Sequence, residues 1–203
     1  MRRFQMIIKR GFDIVASMML ILILTVIPVL IVIPVLIRLT SKGPAIFKQD
    51  RVGKDGKIFK IYKFRTMLIP EERIQPDGSV LEPAKSITRV GGFLRKTSLD
   101  ELAQLFNILN GTMSFIGPRP ILPSRVERLT EDEKRRHAMR PGITGWAQVK
   151  GRNNLTWTEK ARYDLYYIDH FSLGLDISIF FRTIKTVLGH EGIEYIDFDK
   201  KTQ

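Results

Sequence analysis

"IVASMMLILILTVIPVLIVIPVLI", residues 14–37, runs for 24 positions without a charge. At 1.5 Å per residue a straight helix of that length reaches roughly 36 Å, enough to cross a hydrocarbon core of about 30 Å. A secretory signal has a shorter apolar core and ends at small residues. Here Arg38 follows instead, so the segment reads as a retained membrane anchor. Arg2, Arg3, Lys9 and Arg10 precede it, and Arg38, Lys42, Lys48 and Arg51 follow. Positive residues mark the cytoplasmic side, so a crossing helix would strand one basic flank on the wrong face. Pro28 and Pro34 each remove a helix N–H and crowd the carbonyls of Leu24 and Leu30. A bend there would let the helix enter the bilayer and leave by the same face. A kinked crossing helix is the alternative, and these residues leave both readings open.

The chain has 203 residues, the length of one ordinary domain, with 33 Lys+Arg against 21 Asp+Glu and a formal net charge of +12. That surplus favours anionic partners: nucleic acid, a lipid surface or phosphate-bearing substrates. The absence of cysteine excludes disulfides, thiolate catalysis and cysteine-bound zinc. The three histidines, His137, His170 and His190, show no HExxH pairing, which argues against a histidine zinc site or a serine–histidine nucleophile. A membrane-tethered polyanion or nucleic-acid binder is the competing class. Against it, the basic residues are spread along the chain and no nucleic-acid motif occurs. A purely structural membrane hairpin would leave residues 97–120 without a role.

Residues 45–67, "AIFKQDRVGKDGKIFKIYKFRTM", read as two apolar strands around a Gly53–Gly56 turn containing Asp-Gly, a hairpin signal. Its lysines suit either a solvated edge or a surface facing phosphates. Arg51 and Arg65, at the strand ends, are the functional candidates there. Residues 68–92 read as a loop with short helical pieces. Residues 122–139 read as a charged helix with a solvated face, and 140–154 as a glycine- and proline-broken loop. Asn154 is placed to cap a helix over 156–169 whose stripe of Trp157, Tyr163, Tyr166 and Tyr167 suits a core. A last helix over 173–188 gathers Leu175, Ile179, Phe180, Ile184, Val187 and Leu188 on one face and ends at Gly189. With Arg182 and Lys185 it also suits a membrane interface.

"TSLDELAQLFNILNGTMSFIGPRP", residues 97–120, carries the chemistry-bearing pair Asp100 and Glu101. Ser98-x-x-Glu101 fits a capping box, and Leu99, Leu102, Leu105, Phe106 and Leu109 give a helical apolar stripe. Capping alone therefore explains Glu101. The surroundings point further. Arg95 and Lys96 precede the pair, and Arg119 follows between two prolines that restrict its backbone. A guanidinium suits bidentate phosphate contact. Helix-start amides and nearby cations are expected to keep Asp100 ionised near neutral pH. An ionised aspartate among cations is what a phosphoryl-transfer nucleophile requires, and Glu101 stands ready to share a magnesium ion.

Six stretches, in this order, resemble the bacterial sugar transferases, the monotopic phosphoglycosyl transferases, over nearly the whole chain. They are "KRGFDI", "GPAIFKQDRVG", "FKIYKFRTM", "LRKTSLDELAQLFNILNGTMSFIGPRP", "RPGITGWAQVKGRN" and "YDLYYIDHFSLGLDISI". The resemblance implies transfer of a sugar 1-phosphate from a UDP-sugar to undecaprenyl phosphate, with magnesium, on the cytoplasmic face of the bacterial inner membrane. It implies Asp100 as nucleophile, and Glu101 as the acid that helps hold magnesium beside it or activates the acceptor. Arg95, Arg119, Lys63, Arg65 and Arg152 would meet substrate, joined by Arg51. It also implies a re-entrant helix that does not cross. Several relatives have Ser-Pro at the bend, where this chain has Ile27-Pro28; Thr25 is the nearby hydroxyl. The expected fold is α/β and mostly helical: a re-entrant helix over 1–40, then a catalytic domain over 41–203 with interfacial helices and a small hairpin or sheet. Membrane lipids are expected partners and nucleic acid is not.

Overall fold

The computed structural model describes residues 2–26, 28–75, 77–151 and 154–188. Helix α1 (Arg2–Val26) leads through a break at Pro28 into α2 (Val29–Thr40), bent by 60°. No single described helix is long and apolar enough to cross a membrane; the bent pair together has the length and composition. The bend falls at Pro28 alone, because Pro34 sits inside the continuous α2. Thr25 donates to the Ile21 carbonyl at 2.7 Å, not to the Leu24 carbonyl that Pro28 leaves without its helical amide.

Helix α1 has a polar underside. Lys9 reaches Asp176 at 2.6 Å, and buried Asp13 accepts the Phe115 amide at 3.2 Å. Arg10 donates to the Ile108 and Leu109 carbonyls. The opposite side exposes Phe4, Ile8, Phe12, Val15, Met19 and Leu22, spaced three or four apart on one face. In α2, Ile33 and Ile37 turn inward onto Phe64, Leu94 and Ala103 while Val32, Val35, Leu36 and Leu39 stay exposed. The first forty residues thus share core with the rest of the chain and leave an uncovered apolar side.

Strands β1 (Ile46–Val52) and β2 (Ile58–Phe64) pair antiparallel, from Ile46 opposite Phe64 to Val52 opposite Ile58. The turn works because Asp55 and Gly56 both adopt positive φ, 56° and 74°. Along β2, Phe59 and Ile61 point one way into a core of Leu105, Ile108 and Met113. The intervening Lys60 faces solvent and pairs with Asp50 across the hairpin at 3.0 Å. A second, parallel pair joins β3 (Ser114–Ile116) to β4 (Gly142–Thr144).

Helix α3 (Arg89–Lys96) is capped by Thr88, whose hydroxyl accepts the Gly91 amide at 2.9 Å. A 3-10 segment, Leu99–Gln104, then carries the acidic pair into the short α4 (Leu105–Leu109). The expected single charged helix over 122–139 is instead α5 (Pro123–Val126), α6 (Glu131–Lys134) and a 3-10 turn, Arg135–Ala138. Thr130 and Glu133 form a capping box that starts a new helix there. The range 140–154 contains β4 and α7 (Trp146–Lys150). Helix α8 (Trp157–Asp169) is capped by Thr156 with Glu159, not by Asn154, because the Thr-x-x-Glu box sits two residues later. Its aromatics divide: Tyr167 is buried, whereas Tyr166 is exposed and stacks on Trp146 and His170. Helix α9 (Leu173–Leu188) buries Ile179 but exposes Ile177, Phe180, Phe181 and Ile184. Its expected stop at Gly189 lies outside the described residues.

Gly91 is where α3 meets the end of the hairpin. A Cβ there would stand 2.0 Å from the Thr66 carbonyl oxygen, with only backbone to give way. Gly91→Ala is expected to lower stability by about 2 kcal/mol through this overpacking, read as a drop in the thermal unfolding midpoint, whereas Gly92→Ala, whose Cβ would meet only the Ile87 side chain at 4.0 Å, should leave it near wild type.

Candidate active site

Three elements bring the predicted residues together. Lys63, near the end of β2, places its ammonium 2.8 Å from Glu101 Oε1 and 3.8 Å from Asp100 Oδ2. Arg119, in the turn after β3, reaches the same Glu101 oxygen at 3.3 Å. Arg95, in the last turn of α3, donates through Nε to the Thr66 hydroxyl at 2.7 Å, and its charge also acts on Asp100. Arg51, on β1, donates to the Pro120 carbonyl and to Gln49, and lines a small polar cleft with Lys63, Glu101, Gln104, Arg119 and Gly142.

The capping box expected at Ser98 does not form. Ser98 takes the left-handed conformation, φ 57°, and its side chain makes no cap hydrogen bond. Glu101 turns toward Lys63 and Arg119, whose full charges attract it, while the Ser98 amide donates to the Arg95 carbonyl instead. The segment is therefore a 3-10 turn that presents both carboxylates, not the first turn of a regular α-helix.

The two acids have opposite electrostatics. Burial would raise Glu101, but Lys63 and Arg119 overcome it and hold the carboxyl at about 2. Asp100 is displaced upward: burial is the largest cause, Glu101 adds to it, and Lys63, Arg95 and Arg119 only partly offset it. The expectation that cations and amides would dominate at Asp100 is thus corrected. Its neighbour takes the closest cation contacts, leaving desolvation in charge. Both side chains are mostly covered, 13% exposed for Asp100 and 19% for Glu101.

Two predicted residues are not in this cluster. Arg65 is buried and its guanidinium donates to the Ser41, Lys42 and Gly43 carbonyls and the Ser41 hydroxyl, so it closes the end of α2. Strand position suggested a functional arginine; the carbonyls of the turn that follows α2 claim it instead. Arg152 lies outside the described residues.

Sequence reasoning missed two supports. Asn107, buried in α4, accepts the Tyr62 amide at 2.9 Å and donates to the Lys60 carbonyl at 2.8 Å. It locks the acidic segment to the strand that carries Lys63. A side-chain amide at Asn107, inside the apolar stripe "LAQLFNIL", was the available signal. Arg136 is buried with Asp164, on the segment read as a solvated face, and donates to the Arg119 carbonyl at 3.0 Å.

Magnesium is the metal the resemblance implies, and the donor chemistry is compatible. Magnesium accepts one or two carboxylates and completes its shell with water and substrate phosphates. Asp100 and Glu101 would supply those carboxylates. Among the described residues no group of three or more His, Asp or Glu converges, so phosphate oxygens would be needed.

The family model for bacterial sugar transferases matches residues 4–190. The uncharacterized sugar transferase EpsL of Bacillus subtilis is 44% identical over 189 residues, 93% of this chain and 91% of that one. The undecaprenyl-phosphate galactose phosphotransferase of Salmonella typhimurium is 38% identical over 205 residues, 94% of this chain but 42% of that protein. The UDP-glucose:undecaprenyl-phosphate glucose-1-phosphate transferase of Escherichia coli is 41% identical over 187 residues, 88% of this chain and 39% of that protein. The chain thus spans about two fifths of the length of these last two relatives. By the extent of these matches, the chain belongs to the bacterial sugar transferase family.

Proposed function

We propose that the protein transfers a sugar 1-phosphate from a UDP-sugar to undecaprenyl phosphate through a covalent aspartyl intermediate. The observation that carries this reading is the division of labour between adjacent acids. Glu101 is neutralised by Lys63 and Arg119, while Asp100 stands 3.8 Å from the lysine. A carboxylate oxygen of Asp100 attacks the β-phosphorus of the donor, and the phosphorus–oxygen bond to UMP breaks. UMP leaves with the bonding pair. An oxygen of the lipid phosphate then attacks the same phosphorus, displaces Asp100 and forms the polyprenyl-diphosphate sugar. Both steps bring anion to anion, so Lys63, Arg95 and Arg119 serve to offset the charge on the phosphoryl oxygens. Asp100 and Glu101 would hold magnesium, which when bound supplies further positive charge at those oxygens.

The bent α1–α2 pair supports a re-entrant, monotopic placement on the cytoplasmic face of the inner membrane. Its basic flanks lie on both sides of the apolar run, and its outward faces are apolar. The exposed residues of α9 extend the lipid-facing surface. An active site held at head-group level spares the lipid phosphate from leaving the bilayer, a gain from proximity. Selectivity among sugars depends on pocket shape.

Asp100→Asn is expected to cut UMP release and lipid-linked product by more than about 10^3-fold, as for loss of a nucleophile, while the variant still sediments with membranes. Wild-type turnover in that variant, or a trapped reaction with no sugar-phosphate mass added at Asp100, would remove the mechanism. The acid limb of kcat/KM is expected above the ordinary aspartate range, because burial raises Asp100. Lys63 lowers that carboxyl, so Lys63→Met should move the limb to higher pH. A shift to lower pH would contradict the assignment.

A further inference from the structure

Arg136 does not line the cleft, yet its commitments lead there. Its side chain is 3% exposed and that of its partner Asp164, on α8, is 2% exposed. One terminal nitrogen, Nη2, donates both to the Asp164 carboxylate and to the Arg119 carbonyl, the latter at 3.0 Å. The guanidinium carbon lies over the Trp157 ring, 5.2 Å from its centroid. From β1, Arg51 donates to the next carbonyl, Pro120, at 3.3 Å. Two arginines on different elements therefore grip consecutive carbonyls of the Pro118-Arg119-Pro120 turn. The side chain that this turn projects is the one that meets Glu101.

Stability does not explain the pair. Removing two charges from water costs more than their attraction usually returns, and well-packed apolar residues often serve as well or better. This pair is also incompletely satisfied: Arg136 Nη1 and Asp164 Oδ1 are buried without hydrogen-bond partners. Burial pushes the Asp164 carboxyl up to about 6 even though Arg136 and Lys160 pull it down. What the pair supplies that an apolar pair cannot is a directed N–H at one backbone oxygen.

We propose that Arg136, oriented by Asp164, is a positioning residue that sets the path by which Arg119 reaches Glu101. This rests on the proposed transfer reaction for its catalytic consequence, though not for its structural one. The deciding variant is Arg136→Met combined with Asp164→Leu in the full chain, in lipid nanodiscs. Its unfolding midpoint should equal or exceed that of the wild type. Amide exchange in the 117–122 segment should nevertheless quicken, and kcat should fall about 100-fold, the scale of a catalytic group displaced by about 1 Å, with KM for the UDP-sugar nearly unchanged. Arg136→Lys, which keeps a donor at the site, should recover part of kcat. A folded double variant with wild-type kcat and wild-type exchange at 117–122 would overturn the proposal. If the double variant does not fold, Arg136→Met with the volume-conserving Asp164→Asn, which also removes the guanidinium donor, carries the test by the same two readouts, and wild-type values of both would again overturn it. Absence of transfer by the wild-type chain would count against the reaction instead, and the exchange measurement, which needs no substrate, would still decide the positioning.

Discussion

A single ammonium group organises the site. Lys63 stands between two neighbouring carboxylates, and without a cation there the chain would have to bury two like charges side by side. Its location depends on a hairpin whose register is fixed by Asp55 and Gly56 at the turn and by alternating burial along β2. It depends equally on Asn107, which joins the acidic segment to β2 on either side of Ile61. Because Lys63 favours Glu101 over Asp100, the two acids differ in proton affinity although they are adjacent in sequence. Pairs of titratable groups driven apart by their surroundings are how a site assigns separate roles to like residues.

The larger units were legible because each follows a periodicity. The hairpin shows in alternating apolar residues around Asp-Gly, and the last helix in its spacing from Leu175 to Ile184. The apolar run over 14–37 needed only a count of uncharged residues. What could not be read depends on long-range competition for partners. Ser98-x-x-Glu101 is locally a good cap, but a glutamate that can reach a lysine and an arginine from other elements abandons the amide. Arg65 and Arg136 are indistinguishable from surface arginines by composition. Only the fold reveals that one meets three carbonyls and the other a buried aspartate. The same reason explains Asp100, whose proton affinity is governed by burial, a quantity with no local sequence signature.

The two faces of α1 bear on how the domain sits relative to its surroundings. One face is bound to the domain through Lys9, Arg10 and Asp13, and the other is a continuous apolar strip. A helix with charged groups committed on one side cannot rotate about its axis without exposing buried charge. The orientation of the apolar strip is therefore coupled rigidly to the orientation of the acidic pair. On the proposed membrane reading, that coupling sets the height and tilt of the site above the lipid.

The same underside imposes an order on the making of the protein. Asp13 finds its amide partner 102 residues further along the chain, and Lys9 its carboxylate 167 residues further. As the polypeptide emerges from the ribosome, α1 and α2 are complete long before either partner has been synthesised. During that interval both charges must be satisfied by water, which on the proposed membrane reading keeps the early helix at an aqueous boundary and opposes its burial deeper in hydrocarbon. Final seating of α1 waits on α9, so the helix that begins at Leu173 locks the one that begins at Arg2.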